Sequence, residues 1–172
     1  MAKAMKRGEW LLLGLGNEIL GDDGVGHVVA EKAAERIPAD WRVDVAATAE
    51  AGMALLDHLE FYRGALLVDA VKTEGGRPGE IYELDPHELE GKPVRAPHFI
   101  GVGEALALGR TLGFQMPEEL RVLAVEAEDL LTLKEGLSPK VSEAADRAVE
   151  RALEILGEWV SQERRPEKEA QA

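Results

Sequence analysis

Cysteine is absent from this chain of 172 residues. That absence removes structural disulfides, thiolate zinc sites, iron-sulfur ligation and every cysteine nucleophile together. Serine is scarce: Ser138, Ser142 and Ser161 all lie at or within the last helical stretch, and no G-x-S-x-G elbow exists, which argues against a serine hydrolase. No apolar run approaches the ~20 residues that a membrane helix needs. Cations are outnumbered, 20 Lys+Arg against 33 Asp+Glu, so the net charge of −13 repels phosphate backbones and argues against nucleic acid as a partner. Any chemistry must come from oxygen or imidazole.

Apolar residues make up 45% of the chain, enough for a real core and too many for wholesale disorder. The length suits a single domain. Lys3, Lys6 and Arg7 precede the apolar run Trp10 to Leu15 like the head of a signal peptide. That run is short, lacks a small-residue cleavage site and ends in Gly16-Asn17-Glu18, which suits a buried strand better. The expectation is a soluble, cytoplasmic protein with one domain over residues 8–161 and polar, flexible termini at 1–7 and 162–172.

Short aliphatic runs alternate with helical stretches. Strands are expected at Trp10 to Leu15, Arg42 to Ala47, Ala65 to Val71, Glu80 to Leu84 and Leu120 to Ala127. Helices are expected at Val25 to Ile37, Met53 to Phe61, about Gly103 to Leu112, and from Pro139 onward, with Ser138 as the N-cap. Glu74 to Gly79 reads as a turn, and the stretch through Pro86, Gly91, Pro93 and Pro97 as a loop. This alternation predicts α/β architecture around a mostly parallel sheet of about five strands. Ligands of such sheets sit at the carboxyl ends of the strands.

The loop after the first strand, Gly14-Leu15-Gly16-Asn17-Glu18-Ile19-Leu20-Gly21-Asp22-Asp23-Gly24-Val25-Gly26, invites comparison with a dinucleotide fingerprint. The third glycine of G-x-G-x-x-G falls on Ile19, and Glu18, Asp22 and Asp23 place carboxylates where a pyrophosphate needs N–H groups. A Walker loop is excluded because Gly-Lys-Ser/Thr is missing. Helix capping accounts for one of the paired aspartates. It accounts neither for the second nor for Asp69, alone near the end of an apolar strand. The strand-end rule brings Asp69 close to the Asp22-Asp23 pair. Two carboxylates about 5 Å apart repel by roughly 3 kcal/mol at an effective dielectric near 20, so such a pair takes up a proton or recruits a cation. Of the four histidines, His27 and His58 fall in helical stretches as surface or groove residues, and His87 lies in a polar loop. His98 divides evenly between packing and function. Two carboxylates and an imidazole would suit nickel or zinc with open positions.

Gly14-Leu15-Gly16-Asn17 with Gly21-Asp22-Asp23-Gly24-Val25-Gly26, then Leu67-Val68-Asp69-Ala70, Pro97-His98-Phe99-Ile100-Gly101 and Gly136-Leu137-Ser138-Pro139, resembles the nickel-iron hydrogenase maturation proteases in order and spacing. The resemblance runs from about Trp10 to Gly157. It implies a three-layer α/β/α sandwich and a carboxylate-dependent endopeptidase that removes a C-terminal extension from the hydrogenase large-subunit precursor once nickel is inserted. Carried over residue by residue, Asp23, Asp69 and His98 are the implied metal contacts, with Asp23 or Asp69 as the implied catalytic base. The nickel then belongs to the substrate, and no resident cofactor is implied. The same ligands would equally serve a checkpoint or chaperone that reads nickel without cutting. The family's Asp-Gly-Gly-Thr-type segment is replaced by Asp44-Val45-Ala46-Ala47-Thr48-Ala49-Glu50-Ala51-Gly52-Met53, and the serine two before the histidine is Ala96. The first departure bears on how substrate approaches; neither touches the trio.

Overall fold

The computed structural model describes residues 8–85, 94–95, 98 and 101–164. Strands β1 (Trp10–Leu15), β2 (Val43–Thr48), β3 (Gly64–Thr73), β4 (Ile81–Leu84), β5 (Val94–Arg95) and β6 (Glu119–Glu126) alternate with helices α1 (Val25–Ala34), α2 (Leu56–Leu59), α3 (Val102–Thr111) and α4 (Pro139–Glu163). Five strands run in the order β2-β1-β3-β6-β4, and β5 pairs with β3 off this path. β2, β1, β3 and β6 are parallel neighbours; β4 is antiparallel to β6.

The central strands are apolar on both faces because helices cover both. All six residues of β1 are buried. With side chains alternating across the sheet, Trp10 and Leu12 join Leu66, Val68 and Ala70 beneath α1 and α4, while Leu11, Leu13 and Leu15 join Ala65, Leu67 and Val71 beneath α2 and α3. This is the three-layer sandwich. Each fully buried leucine contributes roughly 1.5–3 kcal/mol by leaving water. The long α4 presents Val141, Ala145, Ala148, Val149, Ala152, Ile155, Leu156 and Trp159 at helical spacing. Trp159 stacks on Trp10 with ring centroids 5.2 Å apart.

Element boundaries differ from the sequence expectation where backbone chemistry intervenes. The stretch Met53 to Phe61 divides into a 3₁₀ turn, Gly52–Leu55, and the single turn of α2. Phe61 adopts a left-handed φ of 73°, which ends the helix before it. Arg42 is also left-handed, at φ 54°, so β2 begins one residue later than expected. β5 is a strand within the stretch read as loop, and α4 runs on through Glu163. His87 lies outside the described residues. Among the described residues, no helix is long and apolar enough to cross a membrane.

Candidate functional site

The glycines after β1 serve a close approach of backbones. A Cβ on Gly26 would lie 2.2 Å from the Leu15 carbonyl oxygen and 2.4 Å from that of Val68, so only glycine lets the start of α1 sit against the ends of β1 and β3. Gly16, at φ 134°, turns the chain where a Cβ would meet the Asp23 carbonyl oxygen at 1.8 Å. These contacts seat the 3₁₀ turn Gly21–Gly24, and with it Asp23, over the carboxyl ends of the parallel strands.

Asp69 reaches the same place along β3. It belongs to the odd-numbered set facing α2 and α3, where the aliphatic neighbours are Leu67 and Val71. His98 arrives from β5. Lys72 pairs with Arg95 and Thr73 with Val94 in antiparallel register, which lays β5 along the carboxyl end of β3, three residues before His98.

The three side chains meet. Asp23, Asp69 and His98 each offer a ligand atom, and these atoms lie within 4.8 Å of one another. All three are buried, at 2%, 0% and 8% exposure. His98 Nε2 is 3.1 Å from Asp23 Oδ2, which also accepts from the Asn17 N–H at 2.8 Å. Asp23 Oδ1 has no hydrogen-bond partner among the described residues. Asp69 Oδ1 accepts from the Ala70 N–H at 2.8 Å. The Asp23 hydrogen bond holds the His98 imidazole above its ordinary pKa; burial opposes this, and the charges of Asp69 and Asp23, with the Glu50 main chain, reinforce it.

Neither aspartate of the pair caps a helix by its side chain, correcting the expectation that one would: the positions flanking the 3₁₀ turn and α1 are Leu20 and Gly24. Asp22 instead ties down the connection from β6 to α4. Its carboxylate accepts from Glu128 N–H at 2.9 Å, Asp129 N–H at 3.2 Å, Ser138 N–H at 2.6 Å and Ser138 Oγ–H at 3.0 Å. Ser138 does stand at the N-cap of α4, but its hydroxyl serves Asp22 rather than the helix. The Gly136-Leu137-Ser138-Pro139 run was the available signal for this tie.

Among the described residues, the other two histidines, His27 and His58, stand apart from the cluster. His27, on α1, has its Nδ1 3.5 Å from Glu18 Oε2, and His58 Nε2 is 2.6 Å from Glu50 Oε2. Glu50, the acid in the atypical segment after β2, thus pairs with His58 on α2. Asn17 orders its loop: its Oδ1 accepts from Ile19 N–H at 3.2 Å and its carbonyl from Leu20 N–H at 3.0 Å.

The chain is 28% identical over 150 residues to the hydrogenase 2 maturation protease of Escherichia coli K12, spanning 86% of this chain and 90% of that one. It is 29% identical over 158 residues to the hydrogenase expression/formation protein HupD of Thiocapsa roseopersicina, spanning 88% and 69%. The solved structure of the hydrogenase maturating endopeptidase HybD from E. coli superposes with a TM-score of 0.73 at 28% identity, covering 87% of this chain and 92% of that one. A family model described as hydrogenase maturation protease matches residues 27–155, a span that contains Asp69 and His98 and begins just after Asp23. Over most of its length, therefore, the chain belongs to the hydrogenase maturation protease family, and its class of activity is that of a peptidase.

Proposed function

We propose that this protein removes the C-terminal extension of a nickel-iron hydrogenase large-subunit precursor after nickel insertion, and that Asp23, Asp69 and His98 read the nickel carried by that precursor. The observation that carries the reading is the convergence of two carboxylates and an imidazole, buried and within 4.8 Å, from three separate elements. Such a donor set suits a borderline divalent ion with positions left open for ligands from the substrate. Without an ion, the neighbouring carboxylates favour a proton on His98; an ion bound there would compete with that proton.

Seating the precursor's nickel against the trio fixes the scissile peptide beside the same carboxylates. Asp23 or Asp69 then serves as general base, taking a proton from a water that attacks the peptide carbonyl carbon. The proton passes to the leaving amine as the C–N bond breaks. Asp23 is already held at Oδ2 by Asn17 and His98, which leaves Oδ1 as its available atom. Placement of the metal near the carbonyl would stabilise the oxyanion electrostatically.

The test is to incubate the purified protein with nickel-loaded precursor and weigh the product. Loss of the C-terminal segment is the expected result. A stable complex with precursor of unchanged mass would instead make the protein a checkpoint that binds without cutting.

A further inference from the structure

Leu131 and Leu133 are the most exposed large apolar side chains among the described residues, at 76% and 75%. They sit on a loop fixed by hydrogen bonds. Asp129 Oδ1 accepts from Leu131 N–H at 2.8 Å and Thr132 N–H at 3.3 Å, and Asp22 anchors the loop at Glu128 and Asp129. Leu20 and Lys134 form a parallel bridge: Lys134 N–H donates to the Ile19 carbonyl at 3.0 Å, and Gly21 N–H to the Lys134 carbonyl at 2.7 Å. Ile19, itself 53% exposed, is thereby held beside Leu133, four residues before Asp23. A groove of about 620 Å³ adjoins Ile19 and Glu135, lined also by Glu18, Val28, Lys32 and Leu137; Leu131 and Leu133 lie outside it.

An ordered loop that keeps two leucines in water beside a third apolar residue is a surface waiting for a cover. Its charge says what kind. Glu128, Asp129 and Glu135 are exposed around the leucines, and Glu18 borders Ile19. Lys32 is engaged by Asp146 at 2.6 Å and Lys72 by the carbonyls of Ala127 and Glu128 at 2.8 and 3.2 Å, which leaves Lys134 as the cation carried by the loop itself. The complementary partner carries apolar side chains flanked by lysine or arginine. Along the chain, the seam leads through Gly21 and Asp22 to Asp23, a member of the trio.

We propose that Ile19, Leu131 and Leu133, rimmed by Glu18, Glu128 and Glu135, form the docking face for the precursor protein, taking up an apolar segment flanked by basic residues. This rests on the reading of the trio as a processing site and names where the substrate body is gripped. The leucines touch no reacting atom; they contribute binding.

The test uses the full chain with Leu131→Ser and Leu133→Ser combined, and separately Glu135→Lys, acting on purified nickel-loaded precursor. The expected result is a KM raised about tenfold or more in the double variant with kcat within about twofold of wild type, because removing binding made equally in ground and transition states shifts KM alone. Glu135→Lys should raise KM at low ionic strength and less so at high. An unchanged KM overturns the docking face and leaves the processing function standing. So does a fall in kcat at constant KM, or loss of a self-association seen in wild type by sedimentation while KM stays the same. If wild type binds precursor without cutting it, the processing reading fails by itself. The docking face is then judged by binding: a Kd weakened about tenfold in the double variant supports it, and an unchanged Kd overturns it.

Discussion

His98 Nε2 lies 3.1 Å from Asp23 Oδ2, joining residues 75 positions apart in the chain inside a buried site. The pair links the loop after β1 to the chain that follows β5, and Asp69 of β3 completes it.

Asp23→Asn, Asp69→Asn and His98→Ala should each reduce processing by about 100-fold or more, the scale of a lost general base or of a lost positioning ligand. The two carboxylate-to-amide changes keep shape and lower the charge of a crowded site, so circular dichroism and melting should show an intact fold. Activity loss that only tracks unfolding would remove the assignment.

The raised His98 pKa sets the direction of a pH effect on the metal-free protein. The folded value lies above the ordinary ~6.5, so folding is coupled to proton uptake between the two. His98 contributes its full stabilisation below the ordinary value and loses it as pH rises through the raised one. Urea unfolding at pH 6, 7 and 8 should show this decline, and His98→Ala should flatten it. Zinc or nickel binding, measured by calorimetry in buffers of different ionisation enthalpy, should run the opposite way: tighter with rising pH over that window and accompanied by proton release.

Asp22→Ala should destabilise the protein by about 2–4 kcal/mol, because three backbone N–H groups and a hydroxyl lose their acceptor. Hydrogen exchange at Glu128, Asp129 and Ser138 should rise. Normal protection there would contradict the anchoring role of Asp22.

Gly26→Ala should cost about 3 kcal/mol or more, or prevent folding, since the added methyl carbon meets two carbonyl oxygens at 2.2 and 2.4 Å. Gly75→Ala is the control: no atom lies within 4 Å of its would-be Cβ, and at φ 77° only backbone strain of about 1 kcal/mol opposes it. Equal losses of stability in the two variants, read by denaturant titration, would refute the close-approach explanation.

Much of the fold was legible because its signals are local. The aliphatic runs of β1, β3 and β6 and the spacing of α4 mark buried elements irrespective of their neighbours. The neighbouring of Asp69 and the loop after β1 followed from strand order, which parallel β-α-β connections constrain strongly. What escaped depended on partners distant in sequence. Asp22 reads as a cap until Ser138 is found beside it, 116 residues away. β5 is only two residues long, and its strand character comes from Lys72 and Thr73 rather than from its own composition. His98 reads evenly between packing and function for the same reason: its partners, Asp23 and Asp69, lie 75 and 29 positions earlier in the chain.

Following the precursor's mass with time in two states, nickel-loaded and nickel-free, decides whether the trio reads the metal within the substrate. The expected result is loss of the C-terminal segment from the loaded precursor alone, with Asp69→Asn inactive on both. Cleavage of the nickel-free precursor at a comparable rate, or full activity of Asp69→Asn on the loaded one, would contradict it.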